Sequence, residues 1–286
     1  MADFGPLITS KELAAALARR DLVVIDCRFD LADPGAGRRL WLDSHIPGAV
    51  FLDLEQDLSA KVSPLSGRHP LPDADELRQA FRRCGINNGS RVVVYDASHG
   101  GIASRAWWLL KALGHEAVAL LERGFTGWQQ GGHAVESGEV SAGSEGNFDG
   151  SPALLRRNVV ATEQIEADLG SLTAPPLVDA RERHRYRGER EPIDAVAGRV
   201  PGALNLPFLE LMEPDGKFHA KPVLRRQFAA LLGEDPDKPW TAMCGSGVTA
   251  CHLAVAADVA GLARPSIYVG SFSEWIRNPD RPVHSG

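Results

Sequence analysis

The run Cys244-Gly245-Ser246-Gly247-Val248-Thr249 holds the residue types best placed to do chemistry. A thiol reacts as its thiolate, and its ordinary pKa near 8.5 must be offset by nearby donors. A cysteine that opens a loop running into a helix faces unpaired backbone N–H groups and the positive end of the helix dipole. Gly245 and Gly247 let that backbone curl so its amides turn inward, since glycine tolerates φ > 0. Ser246 and Thr249 add hydroxyl groups. Such a cradle suits a nucleophilic thiolate and equally the anion of a persulfide. The competing reading is a small buried thiol at a strand end, a common fate of cysteine. The glycine loop and the adjoining helix favour the reactive reading for Cys244. The other three cysteines, Cys27, Cys84 and Cys251, have no such loop and read as packing residues. No pair is spaced as C-x-x-C, no Cys/His spacing matches a zinc site, and free thiols in a reduced compartment are expected. A phosphatase would also use a strand, a cysteine loop and a helix. It needs an arginine six residues after the cysteine to clamp phosphate. That position is Ala250, and the loop itself carries no cation.

The elements that must position this loop occur twice. Leu22-Val23-Val24-Ile25-Asp26-Cys27-Arg28 parallels Pro176-Leu177-Val178-Asp179-Ala180-Arg181, an apolar run closed by Asp-x-Arg in each case. His45-Ile46-Pro47-Gly48-Ala49-Val50 parallels Arg199-Val200-Pro201-Gly202-Ala203-Leu204. Thr9 and Thr162 each supply a capping oxygen ahead of an apolar-periodic run. Arg91–Tyr95 and Trp240–Met243 read as buried strands. Each leads into a loop and an Ala-rich helix, followed by a third strand (Ala117–Leu121; Pro265–Val269) and a Phe-x-x-Trp element, Phe125–Trp128 and Phe272–Trp275. Several matches in one order mark a duplication. In the first copy Asp96 stands at the place of Cys244, in a loop two residues longer. Short buried strands alternating with helices predict an α/β fold, with a parallel sheet covered by helices on both faces in each copy. The domains are placed at 1–135 and 153–286. Residues 136–152 form the linker, because Glu136 to Gly150 is rich in Gly, Ser and acidic residues.

The chain has 286 residues, of which hydrophobic types make up 44%, enough for two cores. A formal net charge of −6 leaves no basic excess for nucleic acid. No apolar run reaches membrane-spanning length, and the N-terminus shows no secretory pattern. No nucleic-acid partner, no membrane and a cytoplasmic location are therefore expected.

The duplicated pattern, the His45-Ile46-Pro47-Gly48-Ala49 box, the Phe-x-x-Trp elements and the Cys244 loop together resemble two-domain rhodanese-like sulfurtransferases. The likeness runs from about Leu7 to Val283 and is closest to the 3-mercaptopyruvate and thiosulfate sulfurtransferases. The resemblance implies two tandem rhodanese-like domains, the first of them non-catalytic. It also implies a Cys244 persulfide loaded by a small-molecule sulfur donor and discharged to a thiol acceptor, such as a small thiol or a thioredoxin-like protein, or to cyanide. No cofactor or metal is implied. The neutral Gly245 and Ser246 resemble the 3-mercaptopyruvate branch, because thiosulfate-preferring relatives carry cations within the loop. In that branch the loop serine joins a His and an acid from the first domain, positions matched by His69 and Glu55. Glu55 stands where the family usually has Asp. Gly245, Gly247, Val248 and Thr249 are expected to line the donor. Arg185 matches the arginine that binds the donor's carboxylate, and Arg187 lies two residues on as a substitute. A second family arginine in a Glu-Pro-Arg run is absent here, where the run reads Glu191-Pro192-Ile193. The alternatives are a thiosulfate:cyanide sulfurtransferase and a non-catalytic persulfide carrier or binding module.

Overall fold

The computed structural model describes residues 5–235 and 237–286. Met1–Phe4, the start of the segment read for a secretory pattern, lie outside the described residues. The chain divides into two compact units, each built on one five-stranded parallel sheet. In the first, β1 (Leu7–Ile8), β2 (Leu22–Asp26), β3 (Val50–Phe51), β4 (Arg91–Tyr95) and β5 (Val118–Leu121) lie in the order β1-β5-β4-β2-β3. In the second, β6 (Val159–Val160), β7 (Leu177–Asp179), β8 (Leu204–Asn205), β9 (Thr241–Met243) and β10 (Ser266–Tyr268) repeat it as β6-β10-β9-β7-β8. Parallel strands need crossovers, and right-handed crossovers running in opposite directions along the sheet put helices on both of its faces. Strands buried on both sides explain the unbroken apolar runs at Val92–Tyr95 and Val118–Leu121, all fully buried. Among the described residues no helix is long and apolar enough to cross a membrane.

Each core is sealed by the repeated aromatic element. Phe125 and Trp128 join Leu13, Val93, Tyr95 and Leu121 in the first. Phe272 and Trp275 join Ile165, Val200, Met243 and Tyr268 in the second. The Asp-x-Arg closures turn inward in both units. Arg28 binds both oxygens of Asp26 and the carbonyl of Ser44, and lies 4.3 Å over the Phe125 ring. Arg181 binds both oxygens of Asp179 and the carbonyl of Gly198, and lies 4.0 Å over Phe272. A buried charge survives only when paired and hydrogen-bonded, which is what this geometry supplies twice.

Three expectations change. Thr9 does cap its helix, Ser10–Ala16, in a capping box with Glu12. Thr162 does not cap Thr162–Ala167; its hydroxyl binds the Tyr268 hydroxyl and Glu274 instead, leaving Ala161 at the cap. Residues 136–150, read as the linker, are mostly exposed but do not hang free. They run along the first unit, where Phe148 is buried edge-on against Phe81 and His115. One large aromatic ring is enough to dock an otherwise polar segment. The third change concerns residues 61–71, which precede the helix Ala74–Arg83 in sequence yet belong to the second unit.

Candidate active site

Strand β9 ends at Met243, so Cys244 sits at the carboxyl end of the sheet, and the helix Ala250–Ala260 follows. This is where parallel α/β sheets place their ligand loops. The loop backbone is pinned from the next crossover. Phe272 N–H donates to Cys244 O (3.0 Å), Ser273 N–H to Gly245 O (2.8 Å), and Cys244 N–H to Ser271 Oγ (3.1 Å). Ser271 is itself held at φ 53°, an unusual conformation for a side-chain-bearing residue. Gly247 N–H donates to Cys244 Sγ at 3.1 Å. The N–H groups of Val248 and Thr249 find no acceptor among the described residues, and both adjoin the helix N-terminus. Cys244 is buried, with 2% of its surface exposed.

The two loop glycines act differently. Gly247 has φ +76°, and a Cβ there would meet Val269 O at 2.4 Å. Gly247→Ala is therefore expected to cost at least about 2 kcal/mol of stability, from the left-handed conformation plus the backbone clash. A urea midpoint unchanged from the parent would refute this. Gly245 is not in the left-handed region. It makes room: a Cβ there would sit 2.8 Å from Arg68 Nη2, 3.4 Å from Arg185 Nη2 and 3.7 Å from Asp194 Oδ2.

The first unit shows what such a loop does with an anion. Asp96 follows β4 as Cys244 follows β9, and Phe125 N–H donates to Asp96 O (2.8 Å) as Phe272 N–H does to Cys244 O. The Asp96 carboxylate accepts four backbone N–H groups: Ser98 (3.1 Å), Gly100 (2.9 Å), Ile102 (2.9 Å) and Ala103 (3.2 Å). Counted to the first helical residue, this loop is one residue longer than the Cys244 loop rather than two.

Residues 61–71 form a strap across the second unit's loop. Gly67 packs so closely that a Cβ on it would lie 2.6 Å from Gly270 O and 2.9 Å from Ser273 Oγ. Gly67 N–H donates to Glu274 (3.2 Å), Arg68 N–H to Ser273 Oγ (3.1 Å), and Arg277 Nε–H to Ser66 O (3.1 Å). The strap delivers His69, whose Nδ1 lies 2.8 Å from Ser246 Oγ, with both residues buried. His69 thus meets the loop from a segment that is structurally part of the second unit. Glu55 lies in the first unit, in the loop after β3, where its N–H donates to Asp53 (2.8 Å).

Arg185 is buried although it lies in the charged run Arg181 to Arg190. Its Nε–H is shared between the two oxygens of Glu191 (3.0 and 3.1 Å), and Nη2 donates to Asp194 (3.0 Å). Asp194 also binds Arg68, and Glu191 also binds Arg181 (3.3 Å). Asp179, Arg181, Glu191, Arg185, Asp194 and Arg68 therefore form one relay of alternating charge. Burial works against the Arg181 charge, but Asp179 and then Glu191 hold it above its ordinary pKa. Burial would raise Glu191, but the N–H groups of Asp194 and Ile193 together with Arg185 hold it below its ordinary value. Arg187 points elsewhere: half exposed, it pairs with Glu189. It caps the short helix Arg183–Tyr186, two residues on from Arg185, which turns its side chain to another face. Arg68 and Asp194 are the residues sequence reasoning missed. The one available signal was Arg68 preceding His69.

All four cysteines are free. Burial, then the carboxylates of Asp26 and Asp96, push the Cys27 thiol well above its ordinary range. Burial, then Asp57, push Cys84 up to about 12. Cys251 donates to Gly247 O (3.3 Å) inside the helix.

The rhodanese-like domain model matches residues 9–131 and again 161–278. The chain belongs to the rhodanese-like family. This rhodanese-like chain is 46% identical over 282 residues to a probable 3-mercaptopyruvate sulfurtransferase of Pseudomonas aeruginosa, covering 98% of each. It is 38% identical over 289 residues to the putative thiosulfate sulfurtransferase SseB of Mycobacterium tuberculosis, covering 98% of this chain and 97% of the relative. Among solved structures, SseA of Escherichia coli, described among the 3-mercaptopyruvate sulfotransferases, superposes with a TM-score of 0.78 at 31% identity, over 94% of this chain and 99% of that one. The chain is a rhodanese-like sulfurtransferase, with two tandem copies of the domain.

Proposed function

We propose that the chain carries sulfur from 3-mercaptopyruvate to a thiol acceptor through a persulfide on Cys244. The Cys244 thiolate attacks the donor's sulfur. An S–S bond forms, the C–S bond breaks, and its electron pair leaves on carbon as the enolate of pyruvate, which takes up a proton. Splitting the transfer at a covalent intermediate replaces one difficult step by two easier ones. The observation that carries the reading is the hydrogen bond between His69 and Ser246 beside Cys244, a route by which a proton can be handed to the enolate. The N–H groups of Gly247, Val248 and Thr249 hold the persulfide anion. An acceptor thiolate then attacks the outer sulfur and regenerates the Cys244 thiolate. The acceptor is a small thiol or a thioredoxin-like protein, and the setting is the cytoplasm. In this reading residues 1–135 form the repeat with Asp96 in place of the nucleophile, 136–152 connect, and 153–286 carry Cys244, with His69 reaching the loop from residues 61–71.

A second reading, transfer from thiosulfate, is favoured by one observation. The loop is neutral, yet Arg68 and Arg185 bring guanidinium groups against Gly245 from outside it. A sulfonate would find cations there too. The deciding measurement is kcat/KM for 3-mercaptopyruvate and for thiosulfate with one defined thiol acceptor, read as pyruvate and as sulfite. A value at least tenfold higher for 3-mercaptopyruvate is expected. A preference for thiosulfate overturns the donor assignment while leaving the Cys244 persulfide in place.

A further inference from the structure

The relay that ends on Arg68 has one member a ligand can reach. Arg181, Glu191, Arg185 and Asp194 expose at most 8% of their side chains, whereas Arg68 exposes 24%. Arg185 is also committed: one edge is held by Glu191 and Nη2 by Asp194. Arg68 has a single carboxylate partner, Asp194, reached through Nη1. Its Nε–H is buried without a hydrogen-bond partner among the described residues. Its Nη2 is the nearest atom to the space left open above Gly245. The six formal charges of the relay cancel, so no anion is needed to balance the cluster at rest. Its positive end nonetheless faces the reactive loop, with donors to spare.

We infer that Arg68, carried by the strap, is the residue that grips the donor's carboxylate, and that Asp194 and Arg185 act behind it to fix its guanidinium. This rests on the reading of the donor as 3-mercaptopyruvate and extends it to the determinant of donor choice. A charge-assisted, two-pronged contact from a planar guanidinium matches a carboxylate better than an ammonium does. It also gives Gly245 its purpose, because a side chain there would occupy the space in which that contact forms.

The test compares 3-mercaptopyruvate with mercaptoacetone, which keeps the thiol and the ketone but lacks the carboxylate, in the full chain and in Arg68→Ala and Arg68→Lys. In the full chain 3-mercaptopyruvate is preferred. In Arg68→Ala that preference, as a ratio of kcat/KM, falls roughly ten- to a hundredfold, mostly through KM. Arg68→Lys recovers part of it. A strap that merely holds the loop together would lower both donors alike and keep the ratio; that result, or an unchanged ratio in a well-folded variant, overturns the inference. A parent chain that releases no pyruvate from 3-mercaptopyruvate overturns the functional reading instead. The two failures are thus told apart before any variant is compared.

Discussion

Cys244→Ser is expected to lose sulfur transfer by roughly four orders of magnitude or more while keeping its fold. The hydroxyl can still accept from Gly247 N–H, so the loop keeps its main contact. What disappears is the nucleophile, since a serine hydroxyl is not ionised near neutral pH and forms no bond to sulfur. Incubation with the donor should add the mass of one sulfur atom to the parent and none to the variant. No other thiol takes over: Cys27 and Cys84 are held protonated by burial and neighbouring carboxylates, and Cys251 is buried in the helix. Residual turnover within tenfold of the parent, or a sulfur-mass gain in the variant, would remove Cys244 from the mechanism.

The largest expected effect on stability is at Arg181. Arg181→Met keeps most of the volume but leaves Asp179 and Glu191, both nearly inaccessible, without their shared cation. Removing one partner of a buried ion pair costs about 3–5 kcal/mol, because the other charge stays behind. That is a large part of the stability of an ordinary domain. The denaturant midpoint of Arg181→Met should fall sharply, while Arg183→Ala, which breaks an ion pair to Glu210 exposed on both sides, should hardly move it. Equal shifts in the two variants would contradict the argument. The same substitution should raise KM for the donor, because Glu191 positions Arg185, and Arg185 positions Asp194.

The repeats were legible because the central strands are buried on both faces and leave unbroken apolar runs, as at Val92–Tyr95. The edge strands β1, β3, β6 and β8, two residues each, are too short to show any period. The Cys244 loop was legible because its glycines and following helix are contiguous in sequence. The separate duties of Gly245 and Gly247 were not, since one depends on a backbone angle and the other on a guanidinium that lies 177 residues away in the chain, counted from Arg68 to Gly245. Arg68 and Asp194 carry no motif that singles them out in the sequence. Only the burial of Asp194 and the path of residues 61–71 give them a role. Thr162 matched a capping signal but is diverted by Tyr268, a partner that local pattern cannot reveal.

The Asp96 loop gives the duplication a further meaning. Its four amides grip a carboxylate that never leaves, so the first repeat is an anion cradle with a permanent occupant built into the chain. In the proposed mechanism the second repeat would hold a transient occupant in a similar loop, charged by one molecule and emptied by another. The two repeats thus present a closed lock and a candidate relay station at the same point of the fold, the end of the central strand.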